Sequence, residues 1–278
     1  MSFTTLITAD QLRAAGGGPV VIDASFDLAD TNAGEASWRE SHVPGSFYLH
    51  LDRDLCGAKT GINGRHPLPE RAAFAATLAR CGITPRHQVV ALDRQGGMYA
   101  ARLWWMLRWV GHSAAAVLDG GVAAWVAAGG TLVTEDSAAM AAPPYPERPA
   151  LAATIDADAL AARLGRARLI DARAGERFRG EVEPLDAAAG HIPGALNRFF
   201  KDNLDSAGRF KPATQLRAEF APLLGAANAD EVVHQCGSGV TACHNLLAME
   251  HAGLAGSVLY AGSWSEWSAN LARPVARG

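Results

Sequence analysis

Cysteine is scarce in this chain: four in 278 residues, at positions 56, 81, 236 and 243, with no CxxC pair among them. That excludes a disulfide-built scaffold and a cysteine-built zinc site, and it fits a reducing compartment. An excess of positive charge is missing as well. Lys and Arg number 25 against 28 Asp and Glu, and no basic block interrupts the sequence, so a surface that neutralises nucleic-acid phosphates is not expected. No apolar run approaches the roughly 20 residues needed to span a bilayer. The first residues, MSFTTLITADQLRAAGG, lack a basic stretch followed by an apolar one, so no signal peptide is read there. These absences point to a cytoplasmic protein with neither a membrane nor a nucleic acid as partner.

What is present is a pattern stated twice. VVIDAS at 20–25 returns as LIDARA at 169–174, SHVPGS at 41–46 as GHIPGA at 190–195, VVALDRQGGMYAARL at 89–103 as VVHQCGSGVTACHNL at 232–246, and VLDGGVAAW at 117–125 as VLYAGSWSEW at 258–267. Four blocks in one order at nearly constant offset indicate a duplicated domain. The chain length, above the usual size of a single core, agrees. The expected organisation is a first domain over 1–137, a proline-rich extended linker over 138–150 (AAMAAPPYPERPA) and a second domain over 151–278.

Within each half, short aliphatic runs such as VVIDA, QVVALD and AAVLDGG end at turn residues and suit buried parallel strands. The stretches AARLWWMLRWVG and TACHNLLAMEHAG have helical length and stop at glycine. Strands alternating with helices predict an α/β fold with a mainly parallel sheet, whose ligands sit beyond the carboxyl ends of the strands. Cys236 falls at such an end.

The residues after Cys236 explain why a thiol would stand there. Gly237 and Gly239 allow a sharp turn that leaves amide N–H groups free to point inward. The following helix, expected to begin near Val240 or Thr241, brings its positive dipole end to the same place. Both favour an anion, so a thiolate there should titrate below the usual value of about 8.5, and the same amides could cradle a sulfur carried on the cysteine. A lone cysteine is more often a small buried hydrophobe. The succession of strand, cysteine, glycine turn and helix argues the other way for Cys236, whereas Cys56, Cys81 and Cys243 have no such setting and read as packing.

The stretch CGSGVTA resembles the active-site loop of the tandem-domain rhodaneses, most closely those of the 3-mercaptopyruvate sulfurtransferase type; thiosulfate sulfurtransferases carry an arginine and a lysine where this chain has Gly237 and Ser238. GHIPGALN, DARAGERFRG, YAGSWSEW, SHVPG and GRHPLP are similar to further marks of that family, and together they cover both halves. The resemblance implies two rhodanese domains, each a parallel sheet flanked by helices, with the site in the cleft between them. It implies that only the second is catalytic, because Asp93 stands in the first where Cys236 stands in the second, and a carboxylate cannot carry transferable sulfur. Asp93 as a catalytic carboxylate is the weaker alternative.

The same resemblance assigns roles. Cys236 is the sulfur carrier, with Gly237, Gly239, Val240 and Thr241 forming its loop. Arg177, in DARAGER, binds the donor's anionic group. A second arginine usual in that segment is replaced by Leu185, which weakens the case for mercaptopyruvate unless Arg179 compensates. Ser238 and His66, in RHPLP, handle protons. The family's aspartate aligns with His50, and Asp52, two residues on along an expected strand, shares its face and is taken as the substitute. His42 and His191, like Asp23 and Asp171, recur in both halves and are read as structural, and Trp264 and Trp267 as core. The implied reaction is ping-pong sulfur transfer from mercaptopyruvate or thiosulfate, through a Cys236 persulfide, to cyanide, a thiol or thioredoxin, with no metal or organic cofactor. A rhodanese-like phosphatase would need an arginine six residues after the cysteine; Ala242 stands there. A non-catalytic binding module would have no reason to keep the cysteine and the serine.

Overall fold

Strand β1 (Leu6–Ile7), β2 (Val20–Asp23), β3 (Phe47–Tyr48), β4 (Val89–Leu92) and β5 (Ala115–Leu118) form one parallel sheet in the order β1-β5-β4-β2-β3. Strand β6 (Ala153–Ile155), β7 (Arg168–Asp171), β8 (Leu196–Asn197), β9 (Val232–Gln235) and β10 (Val258–Tyr260) form a second in the corresponding order β6-β10-β9-β7-β8. This computed structural model describes residues 2–135, 137 and 142–278. The duplicated sequence has thus folded into two sheets of one topology, and the α/β expectation holds.

Sequence explains the strands. All four residues of β4 are fully buried, as are those of β5 to within 1%. Parallel strands covered on both faces need continuous aliphatic runs rather than alternation, and Val-Val-Ala-Leu and Ala-Ala-Val-Leu supply them. Helices pack on these faces. The first, Ala9–Ala15, is started by a capping box in which Thr8 and Gln11 satisfy one another's backbone amides. The longest apolar one in the first half, Met98–Trp109, buries Ala100, Leu103, Trp104, Met106 and Leu107. In the second half, Ile155, Leu160, Leu169, Ile192, Val233, Tyr260, Trp264 and Trp267 close one core. Trp264 and Trp267 are therefore packing residues, their indole N–H groups donating to the carbonyls of Ala188 and Pro274.

Two compact units result, and their membership departs from a simple cut along the chain. One comprises residues 1–57, 69–151 and 206–209; the other comprises 58–68, 152–205 and 210–278. The segment 58–68, from the first half of the sequence, packs with the second unit. Conversely, much of the proline-rich stretch lies on the first: Tyr145 is buried and its hydroxyl is 2.8 Å from His112 Nδ1, and Leu151 N donates to Arg108 O at 2.9 Å. Residues 138–141 of the expected linker lie outside the described residues.

The duplicated histidines are structural twins. His42 stacks on Trp38 and His191 on Phe178, at ring separations of 4.2 and 3.9 Å, and in each the Nδ1 lies 2.8 Å from the carbonyl of the stacked residue. Asp23 and Asp171 close equivalent turns by accepting the amides of Ser25 and Arg173.

Candidate active site

Strand β9 ends at Gln235 and delivers Cys236, 2% exposed, to the carboxyl edge of the second sheet. The turn that follows is clamped by the SWSEW segment. Cys236 N donates to Ser263 Oγ at 3.1 Å, Cys236 O accepts from Trp264 N at 2.9 Å, and Gly237 O accepts from Ser265 N at 2.9 Å. Ser263 holds this position from a left-handed backbone conformation, φ 54°, the one such non-glycine residue among those described. Gly239 has φ +75°, and a Cβ there would drive into the carbonyl of Ala261. Glycine is thus demanded twice, by backbone sign and by space.

The helix after the loop runs from Ala242 to His251, one or two residues later than expected, with Thr241 at its N-cap and no side chain capping it. Among the described residues, no protein acceptor takes the amides of Gly237, Ser238, Val240, Thr241 or Ala242. The first unit shows what the same loop does with an anion. There Asp93, buried at the equivalent point, accepts Gln95 N and Gly97 N on Oδ1, both at 2.8 Å, and Tyr99 N at 2.9 Å and Ala100 N at 3.0 Å on Oδ2. Gln95, Gly97 and Tyr99 correspond to Ser238, Val240 and Ala242. In the first unit this loop is an anion cradle, and the chain fills it with its own carboxylate.

Of the expected site residues, Cys236, Ser238, His66 and Arg177 come together in the second unit. His66 Nδ1 lies 2.8 Å from Ser238 Oγ, and both are buried. Arg177, midway along the short helix Gly175–Arg179, places its Nη2 2.6 Å from Glu183 Oε1 and 3.0 Å from Asp186 Oδ2. A Cβ built on Gly237 would lie 3.5 and 3.7 Å from the two terminal nitrogens of Arg177. That guanidinium rests directly on the backbone beside the cysteine.

Two expectations require correction. Residues 50 and 52 do not share a strand face. His50 caps a helical turn, Leu51–Asp54, its Nδ1 accepting the amides of Asp52 and Arg53 at 3.1 and 3.3 Å, and Asp52 belongs to the first unit. The reason is local: a side-chain acceptor followed by Leu-Asp-Arg-Asp is a helix start. Arg179 does not compensate for Leu185 either. Its side chain is half exposed and paired with Glu181 at 2.7 Å.

One residue was missed. Arg65, beside His66, has its Nη1 2.6 Å from Asp186 Oδ1, its amide donates to Ser265 Oγ at 2.9 Å, and its Nη2 would lie 3.1 Å from a Cβ on Gly237. Its only sequence signal was adjacency to the matched histidine. Asp186 sits between the two arginines. Burial pushes its pKa up, against the pull of Arg65. Among the described residues, no group of three or more His, Cys, Asp or Glu side chains could hold a metal ion, and no helix is long and apolar enough to cross a membrane.

The rhodanese-like domain model matches residues 8–128 and 156–270, one stretch in each half. A probable 3-mercaptopyruvate sulfurtransferase of Pseudomonas aeruginosa is 47% identical over 284 residues, covering all of both chains. A putative thiosulfate sulfurtransferase of Mycobacterium tuberculosis is 38% identical over 98% of this chain and 97% of the relative. Among solved structures, the 3-mercaptopyruvate sulfurtransferase from Leishmania major superposes with a TM-score of 0.87 at 28% identity, covering 98% of this chain and 76% of that one. The chain belongs to the rhodanese family, as a sulfurtransferase with two rhodanese-like regions in tandem.

Proposed function

We propose that the chain transfers sulfur from 3-mercaptopyruvate through a persulfide on Cys236, with thiosulfate as the poorer donor. The observation that carries this reading is the 2.8 Å contact between Ser238 Oγ and His66 Nδ1, two residues from the thiol. The two donors differ in proton demand. When the Cys236 thiolate attacks thiosulfate, the S–S bond breaks, sulfite leaves with the electron pair, and no proton moves. When it attacks mercaptopyruvate, the C–S bond breaks, the electron pair goes to carbon as the pyruvate enolate, and that carbon must take up a proton while the persulfide keeps the donor's. A buried hydroxyl backed by an imidazole serves the second reaction and is idle in the first.

Loop and charge support the same reading. The amides of Ser238, Val240 and Ala242 correspond to those that hold Asp93 in the first unit, and they suit a persulfide anion. Gly237, Gly239, Val240 and Thr241 shape that cradle, and Arg177 meets the donor's carboxylate with a planar fork. The P. aeruginosa relative's name points to the same donor. The persulfide passes its terminal sulfur to cyanide, a small thiol or thioredoxin, regenerating the thiolate. No disulfide joins any of the four cysteines, as a reducing cytoplasm would keep them. The test is kcat/KM for both donors. A higher value for mercaptopyruvate, lost in Ser238→Ala while thiosulfate turnover persists, supports the proposal; a preference for thiosulfate that survives in that variant overturns it.

A further inference from the structure

We infer that Arg65 is the second cation of the donor site, taking the place left by Leu185, and that Asp186 is the counter-ion holding Arg65 and Arg177 together until a donor arrives. The inference rests on the proposed sulfur transfer and names how its substrate's carboxylate is recognised.

The argument starts from charge beside the cysteine. Leu185 is 48% exposed and offers no charge. Arg65 reaches the same neighbourhood from the other side, carried by the segment 58–68 that packs with the second unit. Both guanidiniums rest against Gly237: the nearest nitrogen of Arg65 would be 3.1 Å from a Cβ there, and those of Arg177 3.5 and 3.7 Å. Both are tied to one carboxylate, Asp186, at 2.6 and 3.0 Å, and the Nε of each is buried without a hydrogen-bond partner. Two planar forks held side by side over a backbone without a side chain form a receptor for a carboxylate. Glycine at 237 keeps that surface open.

The anchoring around the pair is pre-organised. Glu183 Oε1 accepts from Arg177 and from the amides of Leu185 and Asp186, fixing the turn that presents Asp186. Arg173, which pairs with Asp171 at 2.7 Å and Glu183 at 3.4 Å, completes a cluster of three arginines and three carboxylates. In that balance, Asp186 is the carboxylate that burial already biases towards its neutral form. An arriving donor carboxylate replaces one anion by another on the same two arginines, rather than entering an uncompensated positive field.

The obvious alternative is that Arg65–Asp186 merely fastens the segment 58–68. Breaking a fastening from either side has one sign of effect, whereas breaking a donor site does not. The experiment is donor kinetics of Arg65→Met, Arg65→Lys and Asp186→Asn, each with its thermal midpoint and the inhibition constant for pyruvate. Arg65→Met should raise KM for mercaptopyruvate and the pyruvate inhibition constant together by about 10- to 100-fold, the loss of one charge-assisted contact. Its kcat should change far less, and Arg65→Lys should recover only part, because an ammonium lacks the fork. Asp186→Asn should lower KM, because the anion that the donor's carboxylate replaces on the two arginines is gone. Unchanged KM and pyruvate inhibition in Arg65→Met, or KM raised alike by Arg65→Met and Asp186→Asn, overturns the inference. Wild-type protein gaining sulfur normally from mercaptopyruvate in the same series leaves the proposed function standing; wild-type protein gaining none overturns both.

Discussion

His66 Nδ1 and Ser238 Oγ, 172 positions apart in sequence, lie 2.8 Å from each other in the unit that holds Cys236. A buried hydroxyl with an imidazole behind it can give a proton and have it replaced. Ser238→Ala and His66→Gln should therefore lower kcat for mercaptopyruvate by about 100-fold and change thiosulfate turnover by no more than about threefold, the usual scale of general acid–base catalysis. Steady-state rates with both donors check this. Equal losses on the two donors would mean that the pair shapes the loop rather than moves protons.

Asp93 answers four amides, three of them in buried hydrogen bonds, with one carboxylate. Asp93→Ala strands those donors and should cost about 3–5 kcal/mol in a denaturant titration. Asp93→Asn, which keeps one oxygen, should cost about half of that. The folded fraction of either variant should turn over mercaptopyruvate at the rate of the parent protein. A specific loss of turnover without loss of stability would instead give Asp93 a part in the chemistry.

The two glycines of the loop should respond differently. Gly239→Ala puts a Cβ into the Ala261 carbonyl at a φ that disfavours side chains, so a loss of several kcal/mol and of sulfur transfer is expected. Gly237→Ala meets only the far ends of Arg65 and Arg177, which can give way. It should fold as the parent does and show its defect in KM. Thermal midpoints alongside donor KM values separate the cases.

Much of this was legible from residues alone. Buried parallel strands favour continuous aliphatic runs, so Val89–Leu92 announces itself, while Val232–Gln235, whose two valines run on into His234 and Gln235, is recognised as its counterpart through the repeat. The thiol at a strand end before two glycines was legible for the same reason: few sequences make that turn. What was not legible depends on long-range contact. Arg65 has no local pattern, and its partner Asp186 lies 121 residues away. The turn at Leu51–Asp54 was misjudged as strand because histidine is a less familiar helix cap than serine or aspartate, although His50 does the same work with Nδ1. The anion held by the first loop could have been inferred from Asp93 itself, a carboxylate in the place of a thiolate.

Acid should weaken the fold through His234, on β9 directly before Gln235. Burial alone depresses its pKa from 6.5 to about 3. Between those values the unfolded chain carries a proton that the folded one refuses. Its contribution to stability is therefore present above pH 6.5 and is lost as pH falls towards 3. The slope should reach at most about 1.4 kcal/mol per pH unit from this group, with His112, also depressed by burial, acting in the same sense. His234→Leu should flatten the profile of unfolding free energy between pH 6 and 4, by roughly that amount per unit. An unaltered slope would place the acid sensitivity elsewhere.

The central claim, that Cys236 carries the sulfur, is tested most directly by intact-mass analysis after brief exposure to mercaptopyruvate. The parent protein should gain one sulfur atom, localised to the peptide bearing Cys236 and removed by cyanide as thiocyanate, while Cys236→Ser gains none and Cys56→Ser, Cys81→Ser and Cys243→Ser each gain one. Sulfur retained by Cys236→Ser on another residue, or turnover undiminished in that variant, would contradict it.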